Sequence, residues 1–243
     1  MSRFFYNLGK MTGPHIRKAR WMWQSATGTE AEAIAVENEV GQDMATEVRR
    51  QLQLDPEPAA KKLLDQISNK LTPCVANKLR RFSFETIKKG EPNAFALPGG
   101  YIFVTRAMLE LCQWNEDEMA FILSHEMAHI IRGHVMERIV SNSAIPIASK
   151  AVPIAGLFAG WLRKVGIKFL ESAYSQDMES DADILGTRLV VAGGYDPQAS
   201  IRLLSRLGEL NQASGESKLS IYFSSHPSIK LRINNIKLNE QST

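Results

Sequence analysis

Cysteine is scarce in this 243-residue chain, with only Cys74 and Cys112 present. At most one bridge can form, which excludes a disulfide-stapled scaffold. Long apolar runs are missing too. In the apolar region 144–170 the longest uncharged stretch after Lys150 is the 12 residues Ala151 to Leu162, against the ~20 that a membrane-spanning helix needs. Neither charge dominates, with 29 basic and 26 acidic residues for a net +3. At 44% hydrophobic and 23% charged, the composition excludes collagen-like and wholly disordered chains and leaves a globular fold.

Acidic residues are absent from positions 1–29, which hold Arg3, Lys10, Arg17, Lys18 and Arg20 for a local charge of +5. The other 214 residues carry 24 basic and 26 acidic groups, or −2. A body without basic excess predicts no nucleic-acid partner. The N-terminus lacks a clear signal peptide, because Phe4 to Leu8 is interrupted by Asn7 and followed by Lys10. Residues 1–29, with Trp21-Met22-Trp23, and residues 144–170 are the two candidate segments for peripheral membrane contact. With Met1 as the native start, the expectation is a cytoplasmic or membrane-surface protein whose two cysteines stay thiols.

The expected organisation is a basic arm, 1–29, followed by a single domain, 30–243. Thr29 to Glu32 reads as a capping box opening a helix to about Leu52. Asp55-Pro56-Glu57-Pro58 ends it, and a second helix runs to about Leu71. Arg81 to Ile87 reads as a strand, and two more, Ala94 to Leu97 and Tyr101 to Thr105, flank Pro98-Gly99-Gly100. Helices are predicted near 106–112, 115–138, 171–192, 197–212 and 227–239. The fold class is α+β, mainly helical, with a small β-sheet. A buried hairpin or lid is expected over 144–170.

The chemistry concentrates in His125-Glu126-Met127-Ala128-His129. With only 5 histidines and 18 glutamates in the chain, a chance match to this spacing has a likelihood of roughly one in a hundred. Asn115 followed by Glu116, Asp117 and Glu118 marks the start of the helix that carries it. On that helix His125 and His129 lie one turn apart on one face, suited to bind one zinc ion. Glu126 flanks them, within reach of a water at the metal without being a ligand.

A third ligand is required. Six residues beyond His129, where a metzincin has its third histidine, stands Val135. On a continuous helix His134 points about 180° from His125, so it reads as structural or solvent-facing. Glu179 and Asp183, four apart on a predicted helix, share a face. Glu179 completes a His-His-Glu set, and Asp183 can hold the outer nitrogen of a ligand histidine, by expectation His125.

The segments Asn93 to Gly100, His125 to His129 with Gly133-His134, Glu179 to Asp183, and Ser225-His226-Pro227 with Arg232 follow in the order of a known family. Over about residues 35–238 the chain resembles the gluzincin metallopeptidases that include CAAX prenyl endopeptidases, the HtpX heat-shock protease and the mitochondrial Oma-type protease, in their soluble or peripheral branch. The resemblance implies a zincin-like metallopeptidase domain with the small sheet beside the active-site helix. It also implies one Zn2+ per chain on His125, His129 and Glu179, with Glu126 assisting attack of a zinc-bound water on a peptide bond. His226 is placed near the metal, either as a catalytic donor to the oxyanion or as a direct ligand that blocks the resting enzyme. Arg232 either supports the oxyanion or pairs with an acid. An extended polypeptide substrate is expected along an exposed strand edge, with Asn93, Ala94, Phe95 and Ala96 as substrate-binding residues. Unfolded or membrane-proximal proteins are the expected substrates. The competing reading is a metal-stabilised chaperone-like or binding module with little proteolytic activity.

Overall fold

Thr29 begins the ordered architecture through a reciprocal cap. Its hydroxyl accepts from the Glu32 backbone N–H at 3.2 Å, while the Glu32 carboxylate accepts from the Thr29 N–H at 2.8 Å. In the computed structural model, the described residues are 28–88, 90–143, 157–166, 169–170, 173–213, 222, 226 and 229–240. Helix α1 (Glu30–Gln51) is followed by α2 (Pro58–Leu71), whose proline occupies the first turn, where a missing N–H costs nothing. Residues 1–27, 144–156 and 167–168 lie outside the description, and with them most of the expected arm and much of the expected hairpin.

Three short strands form one sheet in the order β1-β3-β2. β1 (Ser83–Ile87) runs parallel to β3 (Tyr101–Thr105), and β2 (Ala94–Ala96) runs antiparallel to β3, with Phe95 opposite Phe103. The rings of that pair stack at 5.5 Å. β2 is an edge strand in hydrogen-bonding order, yet its residues are buried where it packs against the central helix. The expected open edge is therefore covered, and Phe95 belongs to the core.

After α3 (Arg106–Leu111) comes α4 (Glu116–Ile131), buried from Glu118 through Ile130. A helix apolar on nearly all sides must sit inside the domain, and α4 contacts β2, β3, α2 and three later helices. Its acidic first turn does more than complement the helix dipole. Glu116 accepts from Lys70 and the Tyr195 hydroxyl, Asp117 accepts from the Asp196 backbone, and Glu118 pairs with Arg206. Asn115 caps this end by accepting from the Glu118 N–H at 3.0 Å.

The single helix expected over 115–138 is two helices. α4 ends at Ile131, Gly133 takes a φ of +77°, and α5 (His134–Ser143) starts in a new direction. Only glycine adopts that backbone without a steric penalty. α6 (Leu157–Val165) lies against α1 with Phe158 and Leu162 buried. α7 (Gln176–Ala192) begins later than predicted because Ser175 caps it, accepting from the Met178 N–H. α8 (Gln198–Ala213) and α9 (Ile229–Glu240) complete the described fold. Among the described residues no helix is long and apolar enough to cross a membrane.

α4 and α7 make the most extensive contact among the described elements, and Gly186 sets their separation. A Cβ at this position would sit 3.1 Å from the His125 backbone nitrogen and 3.2 Å from its Cα. Gly186→Val should therefore force the helices apart and lower stability by about 1–3 kcal/mol, the usual cost of overpacking. A shifted urea midpoint with an unchanged slope would report this.

Candidate metal centre

α4 supplies His125, Glu126 and His129, and α7 supplies Glu179 and Asp183. His226 stands between α8 and α9, its backbone N–H bonded to the Tyr222 carbonyl at 2.8 Å. Ser225 and Pro227 of the expected motif lie outside the described residues. The imidazole Nε2 atoms of His125 and His129 are 3.1 Å apart. Glu179 reaches both, with Oε1 at 3.2 Å from His129 Nε2 and Oε2 at 3.7 Å from His125 Nε2. His226 Nδ1 closes the group at 3.0 Å from Glu179 Oε1 and 3.4 Å from His125 Nε2. One ligand atom from each of these four buried side chains lies within 4.8 Å of the others.

Behind this group is a second layer of charge. His125 Nδ1 lies 2.9 Å from Asp183 Oδ1. Asp183 is gripped on both oxygens by Arg232, at 2.8 Å each. The same guanidinium lies 3.4 Å from Glu179 Oε2 and donates to the Tyr222 hydroxyl at 3.3 Å. Of the two expectations for Arg232, the geometry displays the acid pairing.

Burial alone would raise the Glu179 carboxyl, but His226, Arg232 and His125 together with the hydrogen bond to His129 hold it well below the usual carboxylate range. Asp183 is likewise lowered, with burial outweighed by Arg232 and His125. Glu126 differs. Desolvation pushes its carboxyl up against weaker attraction from His226 and His125, and its Oε2 has no hydrogen-bond partner among the described residues. Its Oε1 lies 3.5 Å from His226 Nε2.

The donor chemistry fits a metal ion. Asp183 is an ionised acceptor, so His125 Nδ1 carries the proton and its Nε2 presents a lone pair inward. That lone pair meets a carboxylate and two more imidazoles in a dry site, where converging acceptors repel unless protons or a metal cation lie among them, and a metal serves all four groups at once. Glu126, Glu179 and Asp183 also outnumber the buried guanidiniums of Arg232 and Arg138 around the site.

Two neighbours of His129 were not recognised from the sequence. His134, read there as structural or solvent-facing, is only 7% exposed and places Nδ1 3.2 Å from His129 Nδ1. The turn at Gly133 undoes the continuous-helix geometry on which that reading rested. Tyr174, just before α7, stacks on the His129 ring at 3.8 Å and carries the Arg138 guanidinium 4.0 Å from its own ring centre. No local pattern around Tyr174 announces this contact. Asn93, expected to bind substrate, is fully buried beside β2 with both amide atoms unpartnered among the described residues.

Comparison with known proteins gives this constellation a context. The chain is 32% identical over 162 residues to the mitochondrial metalloendopeptidase OMA1 of Schizosaccharomyces pombe, covering 65% of this chain and 46% of that protein. OMA1 of Arabidopsis thaliana is 33% identical over 156 residues, covering 63% of this chain and 31% of that protein. The beta-barrel assembly-enhancing protease of Escherichia coli K12 is 24% identical over 206 residues, covering 80% of this chain and 42% of that protein. The chain thus spans less than half the length of these curated relatives. The profile of peptidase family M48 matches residues 58–240, which include every residue of the metal cluster and its second layer. The chain therefore belongs to peptidase family M48.

Proposed function

We propose that the chain is a zinc-dependent endopeptidase that hydrolyses unfolded or membrane-proximal polypeptides, with one zinc ion held by His125, His129 and Glu179. The observation that carries this reading is the buried Oε2 of Glu126, unpaired among the described residues, beside a complete His-His-Glu set. Two imidazoles with one carboxylate favour zinc over the oxygen-seeking calcium and magnesium. When bound, zinc supplies Lewis acidity and a water of lowered pKa.

The chain's own residues do the rest. Glu126 takes a proton from the attacking water on Oε2, a step its raised affinity for protons favours, and returns it to the leaving amine. Asp183 and Arg232 fix the His125 ring. Asn93, Ala94, Phe95 and Ala96 receive the substrate as an extended strand once β2 is uncovered, and the free amide of Asn93 pairs with its backbone. A metal-stabilised binding module would have no use for Glu126 in this state, since an unsatisfied buried polar group costs about 1–3 kcal/mol. The basic arm 1–29 is the docking segment that brings the enzyme to its substrates.

With unfolded casein as substrate, the zinc-loaded chain should cleave, lose activity to a chelator and regain it with zinc. Glu126→Gln should keep the metal and lower turnover by about 10²–10⁴-fold. Cleavage that survives both treatments would exclude this mechanism.

A second reading concerns His226. Its Nδ1 points into the ligand cluster rather than away from it, which supports a resting state in which His226 is a fourth ligand and must withdraw before substrate is attacked. X-ray absorption of the zinc-loaded protein should count three imidazoles in the parent and two in His226→Ala. Two in both would leave His226 only the role of oxyanion donor.

A further inference from the structure

Each histidine of the cluster on α4 has its outer nitrogen turned toward a partner, but the two partners differ in kind. His125 faces Asp183, deep in the protein and locked by Arg232. His129 faces His134 at 3.2 Å, Nδ1 to Nδ1, with the rings inclined at 67°. That inclination is compatible with an N–H of one ring directed at the in-plane lone pair of the other.

The proton positions along this path follow from one assignment. Resting on the proposed coordination of zinc by His129 through Nε2, its Nδ1 carries hydrogen and donates. His134 Nδ1 must then accept, which puts the His134 proton on Nε2. That atom faces Asp181 Oδ2 at 3.6 Å, and Asp181 Oδ1 in turn meets Arg132 Nη2 at 3.1 Å. Every member has the polarity its neighbour requires. The path ends at an exposed ion pair, with Arg132 39% and Asp181 42% exposed.

We infer that His134, backed by Asp181, is a positioning residue for the metal ligand His129, doing for that ring what Asp183 does for His125. Tyr174 covers one face of the His129 ring and restricts its tilt. A stack does not restrict rotation within the ring plane, and the hydrogen bond to His134 supplies that restraint. Gly133 makes it available: its positive φ swings His134 back toward the turn it has just left, and the space where a Cβ would stand is open, so backbone conformation rather than packing calls for glycine there.

The test compares His134→Phe, which keeps a ring and loses the acceptor, with His134→Asn, whose Oδ1 takes the place of Nδ1 as an acceptor. Zinc affinity of the full chain is measured by competition with a chromophoric chelator, and the geometry of the site by the visible spectrum of the Co2+-loaded protein. Loss of a ligand's outer partner typically weakens metal binding 10–100-fold. His134→Phe should show a loss of about that size and an altered Co2+ spectrum. His134→Asn should recover most of both. Phe binding as tightly as the parent, or more tightly than Asn as simple packing would dictate, overturns the inference. Should neither variant fold, Asp181→Ala at the surface decides, with zinc binding expected to weaken about 2–5-fold, the value of one partly exposed charge contact, and no change refuting the role. A parent chain that takes up no zinc refutes the proposed centre itself; a parent that binds, with variants unaffected, refutes only the role of His134.

Discussion

The separation of α4 and α7 at Gly186 governs the distance across which two histidines meet two carboxylates. His125 and His129 project from one face of α4, and Glu179 and Asp183 from one face of α7. Their terminal atoms have little reach, so an ångström added between the backbones would be an ångström lost at the ligands. The domain supports this contact from every side. α2, α8 and the turn before α8 are tied to the acidic first turn of α4, and β2 packs against the same helix. A helix held at its end and along its flanks cannot readily drift from its partner.

This arrangement gathers charge where charge is expensive. Asp183 and Arg232 form a buried bidentate pair, and such pairs seldom add stability over an apolar replacement of equal volume. What the pair adds is direction. Asp183 can accept from His125 in one orientation only, because both of its oxygens are already claimed by the guanidinium. The His125 ring is thereby fixed at one edge and presents its other nitrogen to the cluster. The cost of burying the pair is met by the core that α4 completes, and the return is a ligand that needs no reordering when a metal arrives.

Much of this was legible in the chain before any coordinates. The spacing of His125 and His129, the cap at Asn115 and the pairing of Glu179 with Asp183 are periodic facts, and helical periodicity carries directly into three dimensions. The three strands and the small sheet were legible, but not the order and direction in which the strands pair. β1 joins β3 directly and in parallel although β2 lies between them in sequence, a nonlocal pairing, and the covering of β2 depends on α4 filling the space beside it. For His134 the structural half of the reading agrees with its burial, but its place against His129 is hidden from the spacing, because a single residue of positive φ at Gly133 is enough to reverse the face on which the next side chain lies. Tyr174 had no signal at all, because aromatic stacking across two elements leaves no trace in spacing.

The polar atoms left unpaired reveal as much as those that are paired. Glu126 Oε2, the Asn93 amide and the Tyr174 hydroxyl are buried without hydrogen-bond partners among the described residues. Each costs stability in this fold, and replacing them with apolar groups would relieve it. They belong to α4, to the approach to β2 and to the residue stacked on His129, which are the elements surrounding the cluster. Of the three, the Asn93 amide has the donor and acceptor that complement an extended peptide backbone, so a polar complement to the proposed substrate strand stands beside β2, while Glu126 Oε2 is left for the proton it is proposed to carry.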